Sequence, residues 1–243
     1  MLLLDEAHPA DPALDLAISH ALLRQVAQRS LPALRRVYRP AATVAFGRLD
    51  ALREGYGAAV AAAAGHGFAP VLRTVGGHAA AYTDRALVVE DIEPHDGLAV
   101  DVEGRFERFS QGLSRALAEL GVDAHVGEIP GEYCAGRFSV GAGGVKLAGV
   151  AQRVISDASL VSAAIVVGDG AVVRAVLVDV YARLALEWDP ATAGAVDDLV
   201  PGAAVEDVRR VLSSGEPVPL PQATLTLARS LRADPGAPAR RSS

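Results

Sequence analysis

The chain has 243 residues, a formal net charge of −6 and a hydrophobic fraction of 51%. That acidic balance argues against a nucleic-acid surface, which needs a clustered basic stripe, and no apolar run reaches the roughly 18 residues of a membrane span. A single cysteine, Cys134, excludes an intramolecular disulfide, and the acidic start Met1-Leu-Leu-Leu-Asp-Glu6 lacks the basic region of a secretory signal, so a cytoplasmic location is expected.

In chain order, the apolar periodicity predicts a helix over Pro12–Gln28, with Asp11 as N-cap and Pro12 at the first helical position. Strands follow at Arg36–Tyr38 and Thr43–Phe46, then an alanine-rich helix over Ala58–Ala64 that stops at Gly65-His66-Gly67. Strand-like runs return at Val71–Val75 and Ala86–Ile92, separated by the glycine turn Gly76-Gly77. A helix over Val102–Leu120 carries Phe106, Phe109, Leu113, Ala116 and Leu120 at three- and four-residue steps. The segment Gly141–Gly144 reads as a hairpin turn, followed by strands at Val145–Ile155 and Leu160–Val167 and a helix over Val172–Leu184. Helical candidates close the chain at Val205–Leu212 and Gln222–Leu231. Strands interrupt helices without a regular βαβ alternation, which predicts an α+β domain: a mixed or antiparallel sheet packed with helices. The main domain is expected over 1–190, a short helical extension over 191–233 and a disordered tail over 234–243.

Three features carry possible chemistry. Of the 23 basic residues, 22 are arginine and one, Lys146, is lysine. Arginine replaces lysine where only a solvated charge is needed, so the retained lysine either marks a position that needs a compact amine or is a solvated strand lysine spared by chance. On a strand, Lys146 would share a face with Ala148, Val150 and Gln152, beside Gly144 and Gly149, and could contact an oxygen that gains charge during acyl transfer. The run Arg73-Thr-Val-Gly-Gly-His-Ala-Ala-Ala-Tyr82 offers small residues and turn glycines that let a ligand approach the backbone, with Arg73 available to an anion; an ordinary glycine hairpin has the same look. Cys134, in a Gly/Pro loop twelve residues before Lys146, is either a nucleophile or a small loop residue. The six histidines show no metal-site spacing, and neither a P-loop nor a Gly-x-Ser-x-Gly elbow occurs.

In order and spacing, Arg36–Arg48, Arg73–Tyr82 and Gly144–Gln152 resemble the lipoate–protein ligase A family, within the biotin/lipoate ligase and octanoyltransferase superfamily. The last segment resembles its Gly-x-Lys-Ile/Leu-x-Gly-x-Ala signature, and the resemblance spans roughly residues 10 to 190. It implies a biotin/lipoate ligase-like catalytic domain over 1–190. Lys146 then matches the active-site lysine, and Arg73, Gly76, Gly77, His78, Ala79, Ala80, Tyr82, Gly149 and Ala151 the substrate or adenylate pocket. The implied reaction is ligation of lipoate or octanoate through an acyl-adenylate, with ATP and Mg2+. The acceptor is a lysine of a lipoyl carrier domain, from a 2-oxoacid dehydrogenase or a glycine cleavage H-type protein. Two alternatives stay open: ATP-independent transfer with Cys134 as acyl-thioester nucleophile, and a non-catalytic acyl-binding relative. The sequence departs from the family at Ala80, where valine is usual, at Tyr82, where histidine is usual, and at Thr83-Asp84-Arg85, where an asparagine segment is usual. Lys146→Arg is expected to abolish transfer and leave the fold intact.

Overall fold

The computed structural model describes residues 1–96, 101–213 and 215–232. The chain begins with β1 (Leu2–Leu4) and α1 (Pro12–Ala27), continues through β2 (Leu34–Tyr38), β3 (Thr43–Phe46), α2 (Tyr56–Gly65), β4 (Ala69–Leu72), β5 (Ala80–Tyr82) and β6 (Ala86–Pro94), and reaches α3 (Val102–Glu119). It then runs through β7 (His125–Val126), β8 (Val140–Ala142), β9 (Val145–Ile155), β10 (Ala158–Val166) and α4 (Gly170–Leu184), ending in α5 (Val196–Leu199), α6 (Val205–Leu212) and α7 (Gln222–Leu231). The Asp11 carboxylate accepts from Leu14 N–H and caps α1 ahead of Pro12, as expected, a contact worth about 1 kcal/mol.

The strands form a seven-stranded sheet in the order β1-β2-β6-β10-β9-β8-β7 and a three-stranded sheet in the order β4-β3-β5. The long β6–β10–β9 centre of the sheet is antiparallel, whereas β1–β2 and β3–β4 are parallel, so both sheets are mixed and the fold is α+β. Alternation along the strands gives the large sheet two faces. Leu87 and Val89 of β6, with Val161, Ala163 and Ile165 of β10, pack under Phe109, Leu113 and Leu117 of α3. On the opposite face, Ile92 and Leu160 meet Ile18, Leu22 and Leu23 of α1; each fully buried apolar side chain there contributes about 1.5–3 kcal/mol. The same face carries Val88, Glu90, Ser162 and Ala164, and between it, α1 and the small sheet lies a cavity.

Beyond residue 190, α6 packs Val205, Val208 and Leu212 into the α3 cluster, and α7 packs Ala228 into the α1 cluster. The expected tail over 234–243 lies outside the described residues. Among the described residues no helix is long and apolar enough to cross a membrane.

Three local readings need correction. The run Val71–Val75 is strand only to Leu72; from Arg73 the chain turns into the glycine loop, where Val75 lines the cavity. The hairpin turn is confined to Gly143 and Gly144, both at positive φ (58° and 80°), while Gly141 belongs to β8. Lys146 does not share its face with Ala148. The β8–β9 register pairs Val140 with Ala148 but Gly141 with Lys146, so Leu147 is an extra residue in β9. The bulge leaves Leu147 and Ala148 both in the α3-side core and turns Gly149 toward Lys146: a Cβ at Gly149 would lie 3.2 Å from Lys146 Cε.

Candidate active site

The cavity encloses about 290 Å³. Its apolar walls come from Leu16 and Leu23 of α1, Val88 of β6 and Leu160, Ala164 and Val166 of β10, and its sides from the glycine loop after β4 and the segment before β8. Arg73, Gly76, Gly77, Ala80, Tyr82, Cys134, Lys146, Gly149 and Ala151, all singled out in the sequence, line it together. His78 and Ala79 do not. The His78 ring turns away, with Nδ1 2.7 Å from Asp50 Oδ1, and the buried Asp50 is held by Gly47 N–H on its other oxygen (2.8 Å). Ala79 is buried, and its carbonyl accepts from the Tyr181 hydroxyl at 2.9 Å. These two positions shape the loop from behind.

Lys146 is 1% exposed. Its Nζ donates to the carbonyls of Tyr133 and Cys134, each at 2.9 Å, and forms a close ion pair with Glu132 Oε2 at 2.8 Å. The amine is thus committed to three consecutive residues, the third of which is Cys134. Glu132 is buried as well, and its Oε1 accepts from Ser139 Oγ (3.0 Å), Gly136 N–H (3.1 Å) and Ile129 N–H (3.3 Å). A buried charge persists only when paired and hydrogen-bonded, and here one carboxylate and one amine supply that for each other. Sequence reasoning missed Glu132. Its one local signal was a carboxylate two residues before the cysteine of a Gly/Pro loop.

Cys134 sits at φ 46°, a left-handed conformation that costs a residue with a Cβ about 1–2 kcal/mol. The strain is offset by the three contacts of Lys146 and aims the sulfur at the glycine loop. Cys134 Sγ accepts from His78 N–H at 3.2 Å and from Arg73 Nη2 at 3.6 Å, while the same Nη2 donates to the His78 carbonyl at 2.7 Å. A backbone donor and a guanidinium therefore face the sulfur. Close approach depends on glycine: a Cβ at Gly77 would lie 2.7 Å from Sγ and 2.6 Å from Arg73 Nη2. Tyr82 is buried at the cavity wall, and burial pushes its hydroxyl far above the ordinary tyrosine range. It stays a neutral phenol and is no base.

At the deeper part of the cavity, Glu90 accepts from Ser19 Oγ (2.7 Å) and lies 3.8 Å from the guanidinium of Arg36, which is fully buried and paired with Asp15 at 2.6 Å. Burial raises the Glu90 carboxyl above its ordinary value despite Arg36. Among the described residues, no group of three or more His, Cys, Asp or Glu is placed to hold a metal ion.

Residues 11–190 match the family model for the lipoyl protein ligase A/B catalytic domain. The chain belongs to that family. This ligase A/B-type domain is 28% identical over 185 residues to an octanoyl-[GcvH]:protein N-octanoyltransferase of Geobacillus kaustophilus, covering 76% of the chain and 65% of the relative. It is 30% identical over 124 residues to the protein of the same description from Exiguobacterium sibiricum, covering 51% and 45%. The matches thus span about half to two thirds of the length of these curated relatives. Among solved structures, a lipoate-protein ligase A bound with ATP superposes with a TM-score of 0.75 at 20% identity, covering 95% of this chain and 93% of that one. A bipartite lipoate protein ligase from Thermoplasma acidophilum superposes at 0.72 with 19% identity, covering 95% and 91%. At such identity these likenesses show the lipoate–protein ligase fold.

Proposed function

We propose that the domain moves an octanoyl or lipoyl group between proteins by way of a thioester on Cys134. The observation that carries this reading is the placement of Cys134 Sγ between His78 N–H and Arg73, on the wall of the cavity, with its own carbonyl gripped by Lys146. Cys134 sulfur attacks the acyl carbonyl on the donor, the bond to the donor's nitrogen or sulfur breaks, and that leaving group departs with a proton. The amine of the acceptor lysine then attacks the thioester, forms the amide, and returns a proton to the sulfur. Lys146 and Glu132 hold the cysteine loop through both steps.

The acceptor is a lysine of a carrier domain, of the glycine cleavage H type named in the relatives or of a 2-oxoacid dehydrogenase. A free, functional thiol suits the reducing cytoplasm. The cavity fits magnesium poorly: among its described lining residues the one carboxylate is Glu90, already engaged by Ser19, and magnesium binds through hard oxygen ligands. The lining therefore favours the transfer route over the acyl-adenylate.

Incubation with an octanoylated H-type carrier, without ATP, should add one octanoyl mass to Cys134 in the intact protein, and Cys134→Ser should abolish the adduct and the transfer. ATP-dependent labelling of a lipoyl domain that survives Cys134→Ser would instead establish the ligase. Neither activity, with lipoate still binding in calorimetry, would establish a binding-only relative.

A further inference from the structure

About half of the arginines among the described residues are tied to carboxylates, as Arg35 is to Asp91 and Arg209 to Glu206. Those around the cavity mouth are not. Arg24, one helical turn beyond His20 on α1, and Arg48, directly after Gly47, are exposed and form no ion pair with a described residue. Arg153 of β9 lines the cavity with His20 and Thr74. Its Nη1 is tethered to the Thr74 carbonyl at 2.8 Å, and its buried Nε has no acceptor among the described residues. Gly47 packs directly against the carbonyl of Gly77, which places Arg48 beside the same opening. Arg24 and Arg48 both lie close enough to act on Arg153 and on His20: burial first, and then Arg48 and Arg24, lower Arg153, and, after burial itself, all three arginines help hold His20 down at about 4. Three like charges gathered without a counter-charge destabilise the free protein. Such an arrangement is explained by a negative surface that completes it.

We propose that Arg24, Arg48 and Arg153 form a docking rim for an acidic face of the carrier domain, around the lysine that must enter the cavity. The proposal rests on the acyl-transfer reading, since only a protein-borne acyl group needs a protein surface at the mouth. Its charge logic is complementarity: a chain of net charge −6 repels an acidic partner on balance, and the three arginines at the opening offset that repulsion locally.

The test is equilibrium binding of recombinant H-type carrier protein, by calorimetry, to wild type and to Arg24→Glu/Arg48→Glu, at low and high ionic strength. Neither substituted residue lines the cavity. The expected result is salt-sensitive binding to wild type, and binding about tenfold or more weaker at low salt, with little salt dependence, in the variant. Acylation of Cys134 by octanoyl N-acetylcysteamine, which needs no docking, should be unchanged. Arg24→Gln/Arg48→Gln, which removes charge without reversing it, should give an intermediate loss and covers the case in which the reversal unfolds the chain. Equal carrier affinity in wild type and both variants overturns the proposal, as does absence of carrier binding to wild type. Displacement of the carrier by inorganic phosphate, beyond a matched ionic-strength control, also overturns it and assigns the rim to a small anion. Binding is read without turnover, so failure of Cys134 to acylate would sink the thioester reading and leave the rim's result standing by itself.

Discussion

Glu132 Oε2 lies 2.8 Å from Lys146 Nζ, and both side chains are sealed from solvent. The pair joins β9 to the loop that carries Cys134, so the geometry of the sulfur depends on a carboxylate two residues before it. Removing one partner of a buried pair leaves the other charged and uncompensated. Glu132→Gln should therefore lower stability by about 3 kcal/mol in urea denaturation. It should also slow Cys134 acylation more than it weakens acyl binding. A stability loss under about 1 kcal/mol would show that the pair does not hold the loop.

Lys146→Arg should cost more than activity. The amine occupies a slot closed by Gly149, whose Cα side lies against Cε, and a guanidinium is both longer and planar. The sequence-based expectation of an intact fold gives way to loss of transfer together with destabilisation of about 1–3 kcal/mol from overpacking. Matched thermal melts and single-turnover transfer assays separate the two effects. A variant with wild-type stability would show that the slot can widen.

Gly77→Ala tests the glycine loop. The position has φ 95°, and a methyl would collide with Cys134 Sγ and Arg73 Nη2. Strain of about 1–2 kcal/mol is expected, and with it displacement of both groups. Gly76→Ala, where a Cβ meets nothing within 4 Å, is the internal control and should acylate normally. Equal acylation rates in the two variants, read by mass spectrometry over time, would argue against a close sulfur–loop contact.

His20 supplies a pH dependence. Burial and the neighbouring arginines depress its pKa from 6.5 to about 4, so between those values the unfolded chain binds the proton more readily. Its contribution to stability is fully present above pH 6.5 and is lost as pH falls toward 4. The ring is partly solvated, so the effect is on the order of 1 kcal/mol. His20→Gln should flatten the melting temperature between pH 4 and 6.5. An unchanged slope would mean that His20 titrates normally.

The elements that read correctly from sequence are those whose signal is local. Helix α1 carries its cap at Asp11 and its apolar face within one segment, and β9 and β10 are long β-branched runs. Strands β1 and β5, at three residues each, carry no period to detect. The bulge at Leu147 was invisible for a different reason: an extra residue is defined by the neighbouring strand, so the alternation pointed to Ala148 where Gly149 faces the amine. Lys146 and Cys134 stood out as singletons in an unusual composition. His78 looked like a cavity residue until Asp50, 28 residues away, turned its ring aside, and Glu132 is defined by a partner fourteen residues on.

Lys146, the sole lysine of the chain, is buried. An enzyme that hands acyl groups to lysines ordinarily risks modifying itself. Here the surface carries no lysine amine at all, and the one in the interior is locked onto three oxygens. Under the proposed transfer, an acyl group on Cys134 would find no acceptor lysine within this chain and would wait for a partner's lysine or be lost to water.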